Sequence, residues 1–315
     1  MHHFSNRESR IHVAAPRPRV FVLGARGRLG MALVREWKKN FPNHEIIGLG
    51  REELDFEDPT MALQAMQAFG LKEGEVIVNS GALTDVDRCE REPLLATTIN
   101  EITPMRLANL ATEEGVRFIH LSTDYVFDGS LERPYCETDM PAPLSHYGVS
   151  KLAGEEGVLS SSSHHVVARV SWVFGPDRPS FIDQIIQRAL NSRDAAAIAD
   201  KISSPSYTHD LARWLTLFLK KETRGGIYHL CNSGPCSWRD YGEYALQCAA
   251  RQRMPVLTTS VASLQLAEMK NFHAKRPVQS ALDTTKFSTM LGSPLRPWQE
   301  AVEEYIALMS KKDSA

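Results

Sequence analysis

The sequence predicts a doubly wound α/β fold, a parallel sheet of Rossmann-like type with helices on both faces, followed by a smaller C-terminal α/β lobe. Three observations carry this prediction. Short apolar runs alternate with longer stretches of helical period, the first run ends in a glycine-rich turn, and a Tyr-x-x-x-Lys pair opens a later helix. Parallel strands need crossovers, and the helical stretches supply them.

Residues 1–18 are polar and punctuated by Pro16 and Pro18, so they read as a loose arm and the first ordered element starts at Arg19. Buried strands are expected at Val20–Leu23, Glu45–Leu49, Glu75–Asn79, Arg117–Leu121 and Val166–Val170. Helices are expected between them, at Leu29–Trp37 after the glycine turn, Thr60–Phe69 after Asp58-Pro59, and Leu94–Glu114. A dinucleotide-binding domain over 19–175 follows, with later strands free to return to it. Beyond Gly175 the rhythm loosens into helices at Phe181–Leu190, Asp210–Lys220, Arg239–Ala250 and Pro297–Met309, with strands near Gly226–Leu230 and Val256–Thr259. This stretch, 176–315, is read mainly as a substrate-binding lobe closing over the carboxyl ends of the strands.

Composition excludes several function classes. The 36 Lys+Arg against 38 Asp+Glu leave no basic excess to hold nucleic acid or an anionic membrane. No apolar run approaches the roughly 20 residues of a membrane helix, and none at the N-terminus resembles a secretion signal, so a cytoplasmic chain is expected. Five cysteines without a CxxC pair indicate free thiols, neither a disulfide framework nor a zinc site. The adjacent His164-His165 do not converge like an i,i+4 ligand pair and read as surface, so no metal site is assigned. Trp214 and Trp298 read as core.

Gly24-Ala25-Arg26-Gly27-Arg28-Leu29-Gly30 joins the first strand to the first helix. Glycines there permit a tight turn and close backbone approach, while the helix N-terminus presents free N–H groups to a diphosphate. The spacing is GxxGxxG. At the end of the second strand an acid selects the ribose hydroxyls of NAD and an arginine the 2′-phosphate of NADP. Arg51-Glu52-Glu53 offers both; Arg51, helped by Arg26 or Arg28, tilts the reading to NADPH, with NADH open.

Tyr147 and Lys151 lie four apart on one helical face. A phenol with a pKa near about 10 is a poor acid at neutral pH unless an ammonium stabilises its phenolate. Lys151 can do that while reaching a nicotinamide ribose. Upstream, at the end of a predicted strand, stands Ser122-Thr123-Asp124-Tyr125. A hydroxyl there can bond the substrate oxygen that Tyr147 protonates; Thr123 is the choice, with Ser122 the alternative.

These motifs, together with Val78-Asn79-Ser80-Gly81-Ala82-Leu83-Thr84-Asp85-Val86-Asp87, Arg169-Val170-Ser171-Trp172-Val173-Phe174-Gly175 and Arg276-Pro277 leading into Leu282-Asp283-Thr284-Thr285-Lys286, resemble the extended short-chain dehydrogenases/reductases, and within them the dTDP-4-dehydrorhamnose reductase family. The resemblance runs from Val20 to about Ile306. It implies Tyr147 and Lys151 as acid and activator, both also touching the cofactor, and Thr123 as the carbonyl-polarising hydroxyl. It implies Asp124 and Trp172 as substrate contacts, and Asp55, Phe56, Gly81, Ala82, Leu83 and the glycine loop as the cofactor lining. Asn100 falls where relatives place an Asn beside the active-site helix, to orient a water or to satisfy a helical irregularity. Ser80-Gly81 departs from an Ala-rich stretch, and the N-terminal arm is longer than the family pattern.

The implied activity is reduction of the C4 ketone of a nucleotide-linked 6-deoxy-4-keto sugar. Related 4,6-dehydratases carry Asp-Glu after the Thr; Asp124-Tyr125 lacks that glutamate, which disfavours elimination. Epimerases share the Tyr and Lys. A different class also resembles the family, the NADP-binding regulatory beta subunit of methionine adenosyltransferase, which acts as a partner of another enzyme. Some family members form a magnesium-linked dimer, which leaves homodimerisation open here.

Overall fold

A computed structural model describes residues 17–312, so the expected N-terminal arm lies, but for its last two residues, outside the described residues. In chain order the first elements are β1 (Arg19–Leu23), α1 (Arg28–Asn40), β2 (Glu45–Leu49), α2 (Pro59–Ala68), β3 (Val76–Asn79), α3 (Val86–Arg91) and α4 (Pro93–Thr97). A π-helical turn (Thr98–Ile102) runs into α5 (Thr103–Glu113), followed by β4 (Arg117–Thr123), α6 (His146–Ser161) and β5 (Val166–Val170). Next come β6 (Val173–Phe174), α7 (Phe181–Asn191), β7 (Ala196–Ile198), β8 (Ile202–Ser203), β9 (Ser206–Tyr207), α8 (Thr208–Leu215) and β10 (Gly226–His229). The chain closes with β11 (Cys236–Ser237), α9 (Trp238–Arg251), β12 (Ala262–Leu264), α10 (Thr285–Leu291) and α11 (Trp298–Lys312).

The main sheet has six parallel strands in the order β10-β5-β4-β3-β1-β2, so the doubly wound expectation holds. The strand order reverses at β1, where chain and sheet leave a crevice beyond the strand ends. Trp37 of α1 and Trp214 of α8 pack with Val20, Val78 and Ile119 on one face. Leu107 of α5 and Val158 of α6 pack with Phe21, Ile77 and Phe118 on the other. The Trp37 indole N–H donates to the Ala212 carbonyl at 2.7 Å and pins α1 to α8. A separate core, built from α7, α9 and α11, holds Ile185, Tyr241, Leu246, Trp298 and Tyr305.

Three sequence readings change. Val256–Thr259 forms no strand: Pro255 lacks an N–H, and the pairing segment is β12, joined in parallel to β7. His165 is buried, its Nδ1 accepting from Phe118 N at 3.1 Å and its Nε2 lying 3.0 Å from Thr112 Oγ1, so only His164 is surface. The long helix over 94–114 is interrupted by the π turn.

Glu155 of α6 and Arg169 of β5 form a buried pair, Nη2 to Oε2 at 2.6 Å and Nε to Oε1 at 2.9 Å, with the guanidinium also over the Phe127 ring. Both side chains are 1% exposed, so removing one partner strands a charge in the interior. We expect Glu155→Ala to lower unfolding free energy by about 3–5 kcal/mol in urea denaturation, and Glu155→Leu with Arg169→Met to lose much less.

Candidate active site

The cleft begins where β1 turns into α1. Gly24 has φ +72°, and a Cβ there would sit 2.6 Å from Gly81 N; at Gly30 it would sit 2.2 Å from Gly24 O. No side chain other than hydrogen fits either position. Gly27 caps α1 without a side-chain bond, so the helix presents its N–H groups and positive dipole end toward the crevice. This cradle fits a diphosphate.

Two spaces adjoin it, with Ala82 in the lining of both. One, of about 500 Å³, is lined by Gly27, Leu29, Thr123, Tyr147, Lys151 and Trp172 among others. The other, of about 190 Å³, is lined by Arg51, Asp55, Phe56, Gly81, Ala82 and Leu83. Residues expected to line the cofactor therefore divide between the two spaces. Arg51 stands in the smaller space with its guanidinium on Glu57 at 2.5 Å and near Asp55 at 3.7 Å. Arg26 pairs with Glu52 and Glu53 at 2.7 and 2.9 Å. Arg28 lines the larger space, with its guanidinium donating to the carbonyls of Val173, Arg178 and Pro179.

Ser145 caps α6, its hydroxyl accepting from Gly148 N, and this sets Tyr147 in the first turn above the end of β4. Tyr147 and Thr123 line the same space, and the Tyr147 ring stands edge-on to Tyr125 at 5.5 Å. Burial pushes this phenol above its ordinary range, with the Thr123 hydroxyl opposing. Thr123 Oγ1 accepts from Tyr125 N and donates to Asp124 Oδ1, both at 3.2 Å.

Asp124 differs from its expected role. Its carboxylate is 2% exposed, and Oδ2 accepts from Ser203 at 3.0 Å and Ser280 at 2.6 Å. With three hydroxyl donors satisfied, it anchors Thr123 and the lobe instead of reaching for a sugar. Ser122 is also buried in the cleft wall, and its hydroxyl has no partner.

Lys151 also departs from expectation. Its Nζ donates to the Leu121 carbonyl at 2.7 Å and lies 3.1 Å from His120 Nε2, so it is turned from the phenol that it was expected to stabilise. Burial pulls this amine down to about 8, with Glu155 opposing. The physical reason for its placement is that a fully buried amine takes the nearest strong acceptor. Asn100 sits in the π turn and satisfies the Leu83 backbone twice, accepting from its N–H at 2.8 Å and donating to its carbonyl at 3.1 Å.

Trp172 has φ +40°, a strained conformation for a bulky residue. Its ring stacks near Trp238 and Tyr241, and its indole N–H is buried without a partner beside the cleft. Sequence reasoning missed the rest of that aromatic wall, Phe181, Trp238 and Tyr241, because aromatics at helical spacing read as core. It also missed the latch made by Asp87 and Arg276. Asp87 accepts from the N–H groups of His273 and Ala274 and from the Arg276 guanidinium at 2.7 Å, while Phe272 lies under that guanidinium at 3.5 Å.

A phenol set above a glycine cradle at the switch point of a parallel sheet places the molecule among the extended short-chain dehydrogenases/reductases. Within that class the chain belongs to the family of the RmlD substrate binding domain, whose model matches residues 18–311. It is 33% identical over 288 residues to the spore coat polysaccharide biosynthesis protein SpsK of Bacillus subtilis, covering 91% of this chain and 96% of that one. It is 32% identical over 290 residues to the dTDP-4-dehydrorhamnose reductase of Aggregatibacter actinomycetemcomitans, covering 90% and 97%. The crystal structure of the dTDP-4-dehydrorhamnose reductase of Bacillus anthracis, in complex with NADP, superposes with a TM-score of 0.81 at 28% identity, covering 93% and 98%.

The Arg276 guanidinium holds the Asp87 carboxyl near 2, with burial opposing. A carboxyl lowered in the folded state contributes stability that is present above its unfolded pKa and lost as pH falls through about 2. Hydrogen-exchange protection over 272–280 should therefore decline from about pH 4 downward, and Asp87→Asn should lose that protection already at pH 7.

Proposed function

We propose that the chain reduces the C4 ketone of dTDP-4-dehydro-L-rhamnose to dTDP-L-rhamnose, with NADPH as donor and NADH as the alternative, in the cytoplasm. The carrying observation is that Tyr147 and Thr123 line one cleft together with Gly27 and Leu29 of the glycine cradle. The chain's similarity to reductases of that name, and the NADP bound by one of them, supports substrate and cofactor. Among the described residues no helix is long and apolar enough to cross a membrane.

The cradle fits the cofactor, because the space a Cβ would fill at Gly24 and Gly30 is already taken by backbone, which keeps the turn tight against the N-terminus of α1. Gly24, Gly27, Leu29 and Gly30 would hold the diphosphate through main-chain N–H groups. Asp55, Phe56, Gly81, Ala82 and Leu83 would enclose the adenosine, with Arg51 at its ribose. When bound, the nicotinamide supplies a hydride to the carbonyl carbon.

The chain's residues do the remainder. Tyr147 donates its hydroxyl proton to the C4 oxygen as negative charge develops there. Thr123, held by Asp124, lines the same space as the phenol. Ser122, buried in the cleft wall without a partner, is the hydroxyl free to donate to the same oxygen. Lys151, when protonated, brings positive charge one helical turn from Tyr147. Trp172 and its aromatic neighbours form an apolar wall that excludes water and offers an indole N–H to a polar ligand group.

Tyr147→Phe should bind NADPH as the parent does, by fluorescence titration, while kcat with the keto sugar falls by about 10²–10⁴; retained turnover would refute the assignment and favour a binding role. Arg51→Ala should raise KM for NADPH by about tenfold, the equivalent of one lost charge-assisted contact, and leave KM for NADH within about twofold; an equal change for both would remove Arg51 from cofactor selection.

A further inference from the structure

Three buried side chains stand in a row behind the cleft, and the mechanism above leaves two of them unused. The Gly81 N–H donates to Asn79 Oδ1 at 3.0 Å. Asn79 Nδ2 lies 3.1 Å from His120 Nδ1, and His120 Nε2 lies 3.1 Å from Lys151 Nζ. Asn79 and His120 have no solvent exposure, and Lys151 has almost none.

The direction of this chain follows from donor chemistry. A peptide N–H only donates, so Asn79 must turn its oxygen to Gly81 and its NH₂ to His120. That NH₂ only donates, so His120 Nδ1 must hold a lone pair. A neutral imidazole carries one proton, which is then on Nε2. Burial pushes the His120 imidazole well below its ordinary range, in agreement with a neutral ring. An Nε2–H facing Nζ at 3.1 Å makes a hydrogen bond only if Nζ accepts, and an ammonium has no lone pair.

We propose that Asn79 and His120 are positioning residues whose hydrogen-bond chain, polarised by the Gly81 N–H, keeps Lys151 as the neutral amine on the Leu121 carbonyl in the ligand-free protein. The groups around Lys151 agree. Cys89 of α3 is pushed up to about 12 by burial and stays a thiol. Glu155, on the same helix, is neutralised by Arg169 of β5. Tyr147 and Tyr125 are held as phenols by burial, and Asp124 is occupied by Thr123, Ser203 and Ser280. Asn100 and Ser150, which bond each other, carry no charge. None of these supplies a free counter-charge, and burial pulls the amine below its ordinary range.

The consequence rests on the reading of Lys151 as the partner of Tyr147: when a cofactor enters, the amine takes one proton from solvent, leaves His120 and turns to the cleft as an ammonium. Gly81 lines the adenosine space, so the far end of the chain is in contact with the same ligand.

The test uses ligand-free full-length protein labelled with ¹⁵N-imidazole histidine, the His120 signals being identified by their loss in His120→Gln. At pH 7 we expect a protonated Nε2 and a bare Nδ1; a protonated Nδ1 or an imidazolium overturns the proposal. Asn79→Asp still accepts from Gly81 but also accepts from Nδ1–H, which reverses the chain. It should move the proton of His120 to Nδ1, and shift the alkaline loss of NADPH affinity upward by at least one pH unit, a tenfold change in proton affinity. An Asn79→Asp protein with the parental tautomer and pH profile overturns it as well. If that variant does not fold, the wild-type tautomer decides. Because the tautomer is read without cofactor or substrate, its failure leaves the reductase reading standing, and an inactive wild-type protein with Nε2–H would fail that reading alone.

Discussion

A single buried carboxylate holds the two halves of the cleft together. Asp124 directly follows the last residue of β4, and it accepts hydroxyl protons from Thr123 in the sheet, Ser203 at the end of β8 and Ser280 in the segment before α10. A carboxylate out of water is costly unless its lone pairs are met, so these segments are stable in this arrangement only together. Loss of any one donor leaves charge under-solvated at the point where Thr123 meets Tyr147. The latch at Asp87 works on the same strand of chain from the other end, and the Lys201 amine bonds the Pro277 carbonyl between them at 2.7 Å.

Much of the sheet was readable because fully buried parallel strands appear as short apolar runs, and each of the first five was placed within a residue or two. The glycine turn and the Tyr147/Lys151 helix were readable because spacing carries their chemistry. The lobe was less so. Its strands β6, β8, β9 and β11 are two residues each, too short to show period-two alternation. The role of Asp124 could not be read either, since its donors are separated from it by 79 and 156 positions. The same holds for Lys151: helical spacing places it beside Tyr147, but the carbonyl and imidazole that it contacts come from β4. Asn100 was placed at a helical irregularity, and the π turn is that irregularity.

One wall of the cleft combines strain with unmet polarity. Trp172 adopts a left-handed conformation, and its indole N–H, the Ser122 hydroxyl and the Tyr241 hydroxyl are all buried without partners among the described residues that line this space. Side chains left unpaired together in one concavity form a surface awaiting hydrogen bonds from a ligand.

The return of β10 to pair with β5 has a consequence for how the chain is made. Until residues 226–229 have left the ribosome, β5 is an edge strand of apolar residues with an unmatched row of peptide groups. The nascent sheet thus passes through an interval in which another chain could add to that edge, and the short strand that ends the interval is the one following α8, whose packing on α1 brings it into reach.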